Sequence, residues 1–181
     1  DKKIIHIKTK LLGDHNIDNI VICYGVKKLL DEKFYISDKD FIESILNLTN
    51  VENRLSLKEE NINNVLFRYI DDSFNSNVEG FISACKVLKR LSGIKCIITP
   101  GIVDGGKYKE SIALSIISSL DLLDEIVLVN NKELKYLKSL LNELKINYKL
   151  VSSYSEALSY LKNKYSDFKN EYINILIEND L

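Results

Sequence analysis

From Val65 onward, short apolar runs alternate with stretches of helical periodicity, and this alternation most constrains the fold. Val65-Leu66-Phe67-Arg68-Tyr69-Ile70 is a run of strand length. A helical pattern over residues 78–91 follows it, then a strand-like run at 94–99 and a helix over 107–120. The series continues with a strand at 125–129, a helix at 132–144, a strand at 148–151, a helix at 155–165 and a strand at 172–177. Runs so short and so continuously apolar suit strands that helices cover on both faces. The βαβ repetition predicts an α/β domain, a Rossmann-like open and mostly parallel sheet with right-handed crossovers.

The first third of the chain reads differently. Residues 3–8 alternate apolar and polar side chains, as a short strand does. Residues 17–30 place apolar side chains on roughly one helical face. Ser37 is a good N-cap for a second helix running to about Leu48, with Asp38 and Asp40 in its first turn. One strand and two helices have too little apolar surface to be stable alone. The reading is therefore a small α/β remnant of a preceding domain over residues 1–51, then the Rossmann-like domain over 52–181. The second domain opens with a weak strand at 55–57 and a polar connection over 59–64.

With 181 residues there is room for one domain, or one domain and a piece of another. A hydrophobic fraction of 45% with 28% charged residues is the mixture of a globular protein in water. The net charge of -1 leaves no electrostatic case for nucleic acid or a membrane surface as partner. No apolar run approaches the roughly 20 residues that span a bilayer, and no basic-then-apolar leader is present, so a cytoplasmic protein is expected. Cys23, Cys85 and Cys96 each sit in an apolar pattern without a C-x-x-C pair, which predicts buried thiols in a reducing compartment. His6 and His15 are too few for a histidine-rich metal site. The start at Asp1, the single proline and the stop just after an apolar run suggest a piece of a longer protein.

Four segments could carry chemistry. Asp71-Asp72-Ser73-Phe74-Asn75-Ser76-Asn77 lies between a strand and a helix, the edge where open α/β sheets bind ligands. Its carboxylates and amides suit hydroxyls, amines and metal-bound phosphates, and they equally suit a solvated loop with an Asx cap. Gly13-x-His15-Asn16-x-x-Asn19 puts two amides three residues apart at a helix start. An amide donates and accepts together, which matches the edge of an adenine; otherwise Asp14 or Asn16 caps the helix and His15 is a loop residue. Arg54 stands at the domain junction, where a guanidinium suits a phosphate or a surface salt bridge. Gly101 to Lys107 matches neither phosphate-loop nor dinucleotide fingerprints and reads as a glycine-rich βα turn. There is no nucleophilic Cys/His pair and no zinc spacing.

The order of these segments resembles the Mur ligase family, and within it the branch that adds D-Ala-D-Ala. Asp71 to Asn77 is similar to that branch's D-D-[SA]-Y-N-x-N, with Phe74 in place of the tyrosine. The resemblance implies a three-domain, ATP-dependent ligase of peptidoglycan precursor synthesis. Residues 1–51 would end its central ATPase domain and 52–181 would form most of its C-terminal domain. It implies that Asn19 contacts adenine while His15 and Asn16 shape the turn. Arg54 would approach the ATP phosphates, and Asp72 would bond the ribose hydroxyls. Asn75, Ser76 and Asn77 would face the acceptor. Such an enzyme joins D-Ala-D-Ala to a UDP-MurNAc-peptide through an acyl phosphate, with ATP and Mg²⁺ held mostly by residues upstream, so the chain alone is expected to be inactive. Asp104-Gly105-Gly106 departs from the family's E-L-G, and Glu178-Asn179-Asp180 departs from its K-G-S-R. Those departures leave another amino-acid or peptide acceptor open, and a non-catalytic nucleotide-binding module is the alternative of a different class.

Overall fold

The computed structural model describes residues 4–31, 33–74, 77–103 and 105–179. The chain forms two compact units, Asp1–Val51 and Glu52–Leu181.

The first unit is built from helices α1 (His15–Leu30) and α2 (Asp38–Asn47). The Ser37 side chain caps α2 as expected, accepting from the Asp40 N–H at 3.1 Å. Lys27 ties the helices together with ion pairs of 3.1 Å to both Asp31 and Asp38. Tyr24 packs edge-on against Phe41. Three expectations fail here. Ile4 to Lys8 form no strand, because alternation makes a strand only where a neighbour can pair, and the described part of this unit offers helices alone. α1 begins at His15, two residues early, and neither proposed side-chain cap operates. Asp14 is itself helical in backbone and makes no side-chain cap bond, while the Asn16 amide donates to the Leu12 carbonyl at 2.7 Å. Cys23 is exposed rather than buried. The apolar residues of α1 encircle the helix, so covering Ile20 leaves Ile17, Val21, Ile22, Val26 and Leu29 in the open.

The second unit holds a six-stranded sheet in the order β1-β2-β6-β3-β4-β5. Its strands are β1 (Ser56–Ile62), β2 (Val65–Asp72), β3 (Ile94–Thr99), β4 (Glu125–Val129), β5 (Lys149–Val151) and β6 (Tyr172–Glu178). All neighbours run parallel except β1 and β2, which form an antiparallel hairpin. The mostly parallel sheet is as the sequence predicts, and the hairpin is not. Residues 59–62 belong to β1 rather than to a polar connection. The strand lies at the sheet edge with its centre exposed, so charge there costs no burial.

Helices α3 (Val78–Arg90), α4 (Lys109–Leu120) and α5 (Lys135–Glu143) pack side by side on one face of the sheet. α6 (Tyr154–Lys164) covers the other. The period of two in each strand divides the core accordingly. Phe67, Cys96, Ile98, Ile173 and Ile175 pack with Ala157, Leu161 and Tyr165 of the α6 layer. The interleaved Ile70, Ile97, Leu128 and Leu176 are fully buried towards the other three helices. The chain path reverses between β5 and β6, and right-handed crossovers then require the returning helix on the opposite face. Asn174 is buried inside β6 with its hydrogen bonds met: its amide donates to the Ser92 and Ile94 carbonyls, and its oxygen accepts from Arg68.

Candidate functional site

The C-terminal ends of the parallel strands converge on the loops that carry the predicted residues of the second unit. β2 runs two residues further than its apolar stretch, so Asp71 and Asp72 end a strand and their side chains point to opposite faces. The Asp72 carboxylate accepts from the Leu55 N–H at 3.0 Å, and the Phe74 N–H donates to the Asn53 carbonyl at 3.2 Å. These bonds fasten residues 53–55 to the end of β2. Arg54 is thereby held at the loop, exposed, with its guanidinium 4.7 Å from the Phe74 ring. Asn53 and Leu55 both lie in the left-handed region, with φ of 60° and 51°. For a leucine this costs on the order of 1 kcal/mol; burial of its side chain and the Asp72 bond hold the conformation. The structure thus brings Arg54 and Asp72 together.

Asn77 is the N-cap of α3, its side-chain oxygen accepting from the Gly80 N–H at 2.8 Å. Asn75 and Ser76 lie outside the described residues. Asp71 closes an Asx turn by accepting from the Ser73 N–H at 3.1 Å. In the first unit, His15 and Asn19 are both exposed on α1, four residues apart and so on one helical face.

Two further residues build this edge: Asn131, which was not anticipated, and Asn179, read from the sequence only as part of a loop that departs from the family's K-G-S-R. Asn179 is buried just past β6; its N–H donates to the Asp72 carbonyl and its amide donates to the Gly101 carbonyl at 2.5 Å. Asn131 donates to the Pro100 carbonyl at 2.8 Å while accepting from the Glu133 and Leu134 N–H groups. Together they anchor the loop after β3. Gly101 has φ of +74°, and a side chain there would press on Leu134, which explains the glycine. The helix after this loop is preceded by a 3₁₀ turn at Gly106–Tyr108. Asparagines just beyond β4 and β6 were the available signal, since such residues bond loop backbone.

Among the described residues no cluster of His, Cys, Asp or Glu could hold a metal ion. No described helix is long and apolar enough to cross a membrane. The residues present suit a nucleotide in part. Arg54 offers a guanidinium at an exposed loop, and Asp72 places a carboxylate beside it at the end of β2.

This α/β architecture is similar to that of Mur ligases of known structure. No family model matches the chain. The particular relatives are consistent with one another. MurF from Acinetobacter baumannii superposes with a TM-score of 0.76 at 20% identity, over 96% of this chain and 36% of that one. The MurF ligase from Thermotoga maritima, solved in complex with ADP, gives 0.71 at 19% identity over 94% of this chain and 36% of that one. A folylpolyglutamate synthase from Thermotoga maritima gives 0.59 at 19% identity over 98% and 39%. In sequence the chain is 25% identical over 158 residues to a UDP-N-acetylmuramoylalanine–D-glutamate ligase of Francisella tularensis, covering 87% of this chain and 35% of the relative. It therefore spans about a third of the length of the curated relatives it matches. The likeness to the Mur ligase family holds in sequence and in fold.

Proposed function

We propose that this chain is a segment of a cytoplasmic, ATP-dependent amide-forming ligase of peptidoglycan precursor synthesis. Residues 1–51 would close its central ATPase domain and 52–181 would form its C-terminal domain. The observation that carries the reading is the fastening of the segment around Arg54 to the end of β2, through Leu55 to Asp72 and Asn53 to Phe74, in a chain similar to a Mur ligase over most of its length.

In this reaction class a substrate carboxylate becomes an acyl phosphate, the acceptor amine attacks its carbonyl carbon, and phosphate leaves with the bond electrons. Mg²⁺-ATP supplies the phosphoryl group. Positioning and charge neutralisation accomplish the rest, so no protein nucleophile is needed. Arg54 neutralises phosphate charge, and Asp72 accepts from the ribose hydroxyls while holding Leu55. Asn19 reads the adenine edge, with His15 and Asn16 setting the turn. Asn75, Ser76 and Asn77 line the acceptor's approach. Asn77 does so from the helix cap that its bond to Gly80 fixes.

D-Ala-D-Ala is the acceptor favoured by the motif after β2, with a UDP-MurNAc-peptide as the other substrate. The sequence relative named for D-glutamate supports a second reading with a single amino acid. The test uses the longer protein that contains this chain, following phosphate release with Mg²⁺-ATP, a UDP-MurNAc substrate, and D-Ala-D-Ala or D-glutamate. Turnover with one acceptor is expected, and Arg54→Ala should lower it about tenfold or more, the loss of one charge-assisted contact. Absence of turnover and of any thermal shift with Mg²⁺-ATP sinks the ligase reading. Ligation by residues 1–181 alone would contradict the assignment of the missing machinery to upstream segments.

A further inference from the structure

Asn179 sits where three strand ends meet, and the ligase reading gives it no part. It follows β6 directly, is buried, and has a φ of 70°. Asparagine enters this left-handed region more readily than most residues. Its backbone N–H donates to the Asp72 carbonyl at 3.4 Å, which continues the parallel pairing of β2 and β6 past the Asp72–Glu178 partners. Its side-chain amide donates to the Gly101 carbonyl at 2.5 Å, in the loop after β3. Where K-G-S-R has its glycine, this chain has the asparagine. A glycine would keep the left-handed backbone and could not make the second bond.

The two bonds complete an unbroken series along the C-terminal edge of the sheet. The Leu55 N–H donates to the Asp72 carboxylate, and Asn179 joins Asp72 to Gly101. Asn131 then joins the neighbouring Pro100 carbonyl to the N–H groups of Glu133 and Leu134, at the approach to α5. Gly101 is itself held, its N–H donating to the Thr99 hydroxyl at 3.0 Å. Removing the Asn179 side chain cuts this series at one place and leaves the bonds on either side intact. β2, β6 and β3 are consecutive in the sheet, so the ends of β2 and β3 lie about 10 Å apart. A nucleotide held by Arg54 and Asp72 occupies the β2 end. A second substrate that reacts beside it lies over the ends of β6 and β3. The loop after β3 is then within reach of that substrate, and the Asn179 amide fixes the distance of the loop from the nucleotide.

We propose that Asn179 is a positioning residue of the site, an inference that rests on the ligase reading: it holds the loop after β3 in place relative to the end of β2 and so sets the approach of the acceptor. Two measurements on Asn179→Gly test it, since this variant keeps the positive φ and the N–H bond to Asp72. In the 181-residue chain, NMR hydrogen exchange of the Gly101 and Leu134 amides should quicken about fivefold, as for loss of one internal hydrogen bond, with the Leu55 amide unchanged. Equal quickening at all three amides describes a general loosening and overturns the proposal, as does no change at Gly101. In the longer protein that contains this chain, with Mg²⁺-ATP, a UDP-MurNAc-peptide and the acceptor the native protein turns over, the acceptor KM should rise about tenfold while the ATP KM stays within about twofold. Equal rises in both KM values, or a rise in neither, overturn the proposal and leave the ligase reading standing. A native longer protein without turnover sinks the ligase reading, and the acceptor role of Asn179 falls with it.

Discussion

Burial sets the chemistry of Cys96, whose thiol is covered by β-sheet neighbours and α6. Desolvation pushes its pKa from 9.0 up to about 12. The unfolded chain therefore releases this proton near pH 9 and the folded chain only near pH 12. The folded state holds more protons in that window, so the stability is complete below pH 9 and falls as pH rises towards 12. The slope from this group is at most about 1.4 kcal/mol per pH unit. Denaturant unfolding at pH 8, 9, 10 and 11 should show a steeper alkaline loss for the native sequence than for Cys96→Ala; parallel losses would mean the thiol titrates alike in both states. Cys85 and Cys96 were legible as buried because each sits in an apolar run of a covered element. Cys23 sits in a similar run, and its exposure was not legible, since periodicity cannot say whether a helix has neighbours on every side. The same limit applies to the candidate site. The strand-to-helix position of Asp72 is local information and could be read. Its bond to the Leu55 N–H joins residues 17 apart and could not.

At the level of elements, the β1–β2 hairpin shows what charge conceals. Glu59-Glu60-Asn61-Ile62 reads as part of a polar connection over 59–64, yet each of these residues has a cross-strand partner. Glu59 bonds Arg68 directly opposite, and Glu60, opposite Phe67, accepts from Tyr69 two positions along on the same face. An edge strand needs only one paired side, and charge on it deters pairing with other chains. The turn did leave a signal in Asn63-Asn64, both with positive φ of 53° and 68°, as a two-residue hairpin loop requires. Asn64→Gly should raise stability by about 0.5–1 kcal/mol, and Asn64→Val should lower it by a similar amount or more. Chemical denaturation of the pair checks this; a valine variant as stable as the glycine one would rule out the strained turn. Elements buried on both faces were read to within a residue or two, because continuous apolar runs permit few alternatives.

Over the whole molecule, protection against hydrogen exchange should follow the layering. Amides of Phe67, Ile97 and Leu176 belong to strands paired on both sides and buried on both faces. They should exchange last, and α1 amides should exchange first, because little apolar surface on that helix is covered. Mass spectrometry of the exchanging chain would refute this ordering if α1 were as slow as β6. The strand order carries a consequence for synthesis. β6 is made after every other strand, yet its place is between β2 and β3. While the chain emerges from the ribosome, β2 and β3 therefore face a gap, each with an unpaired apolar edge and no partner yet translated. The nascent chain can form a hairpin on one side and a three-stranded patch on the other, but cannot close them into one sheet. A chain cut after α6 would thus be left as two half-sheets, a substrate for chaperones or proteases rather than a slightly shortened domain.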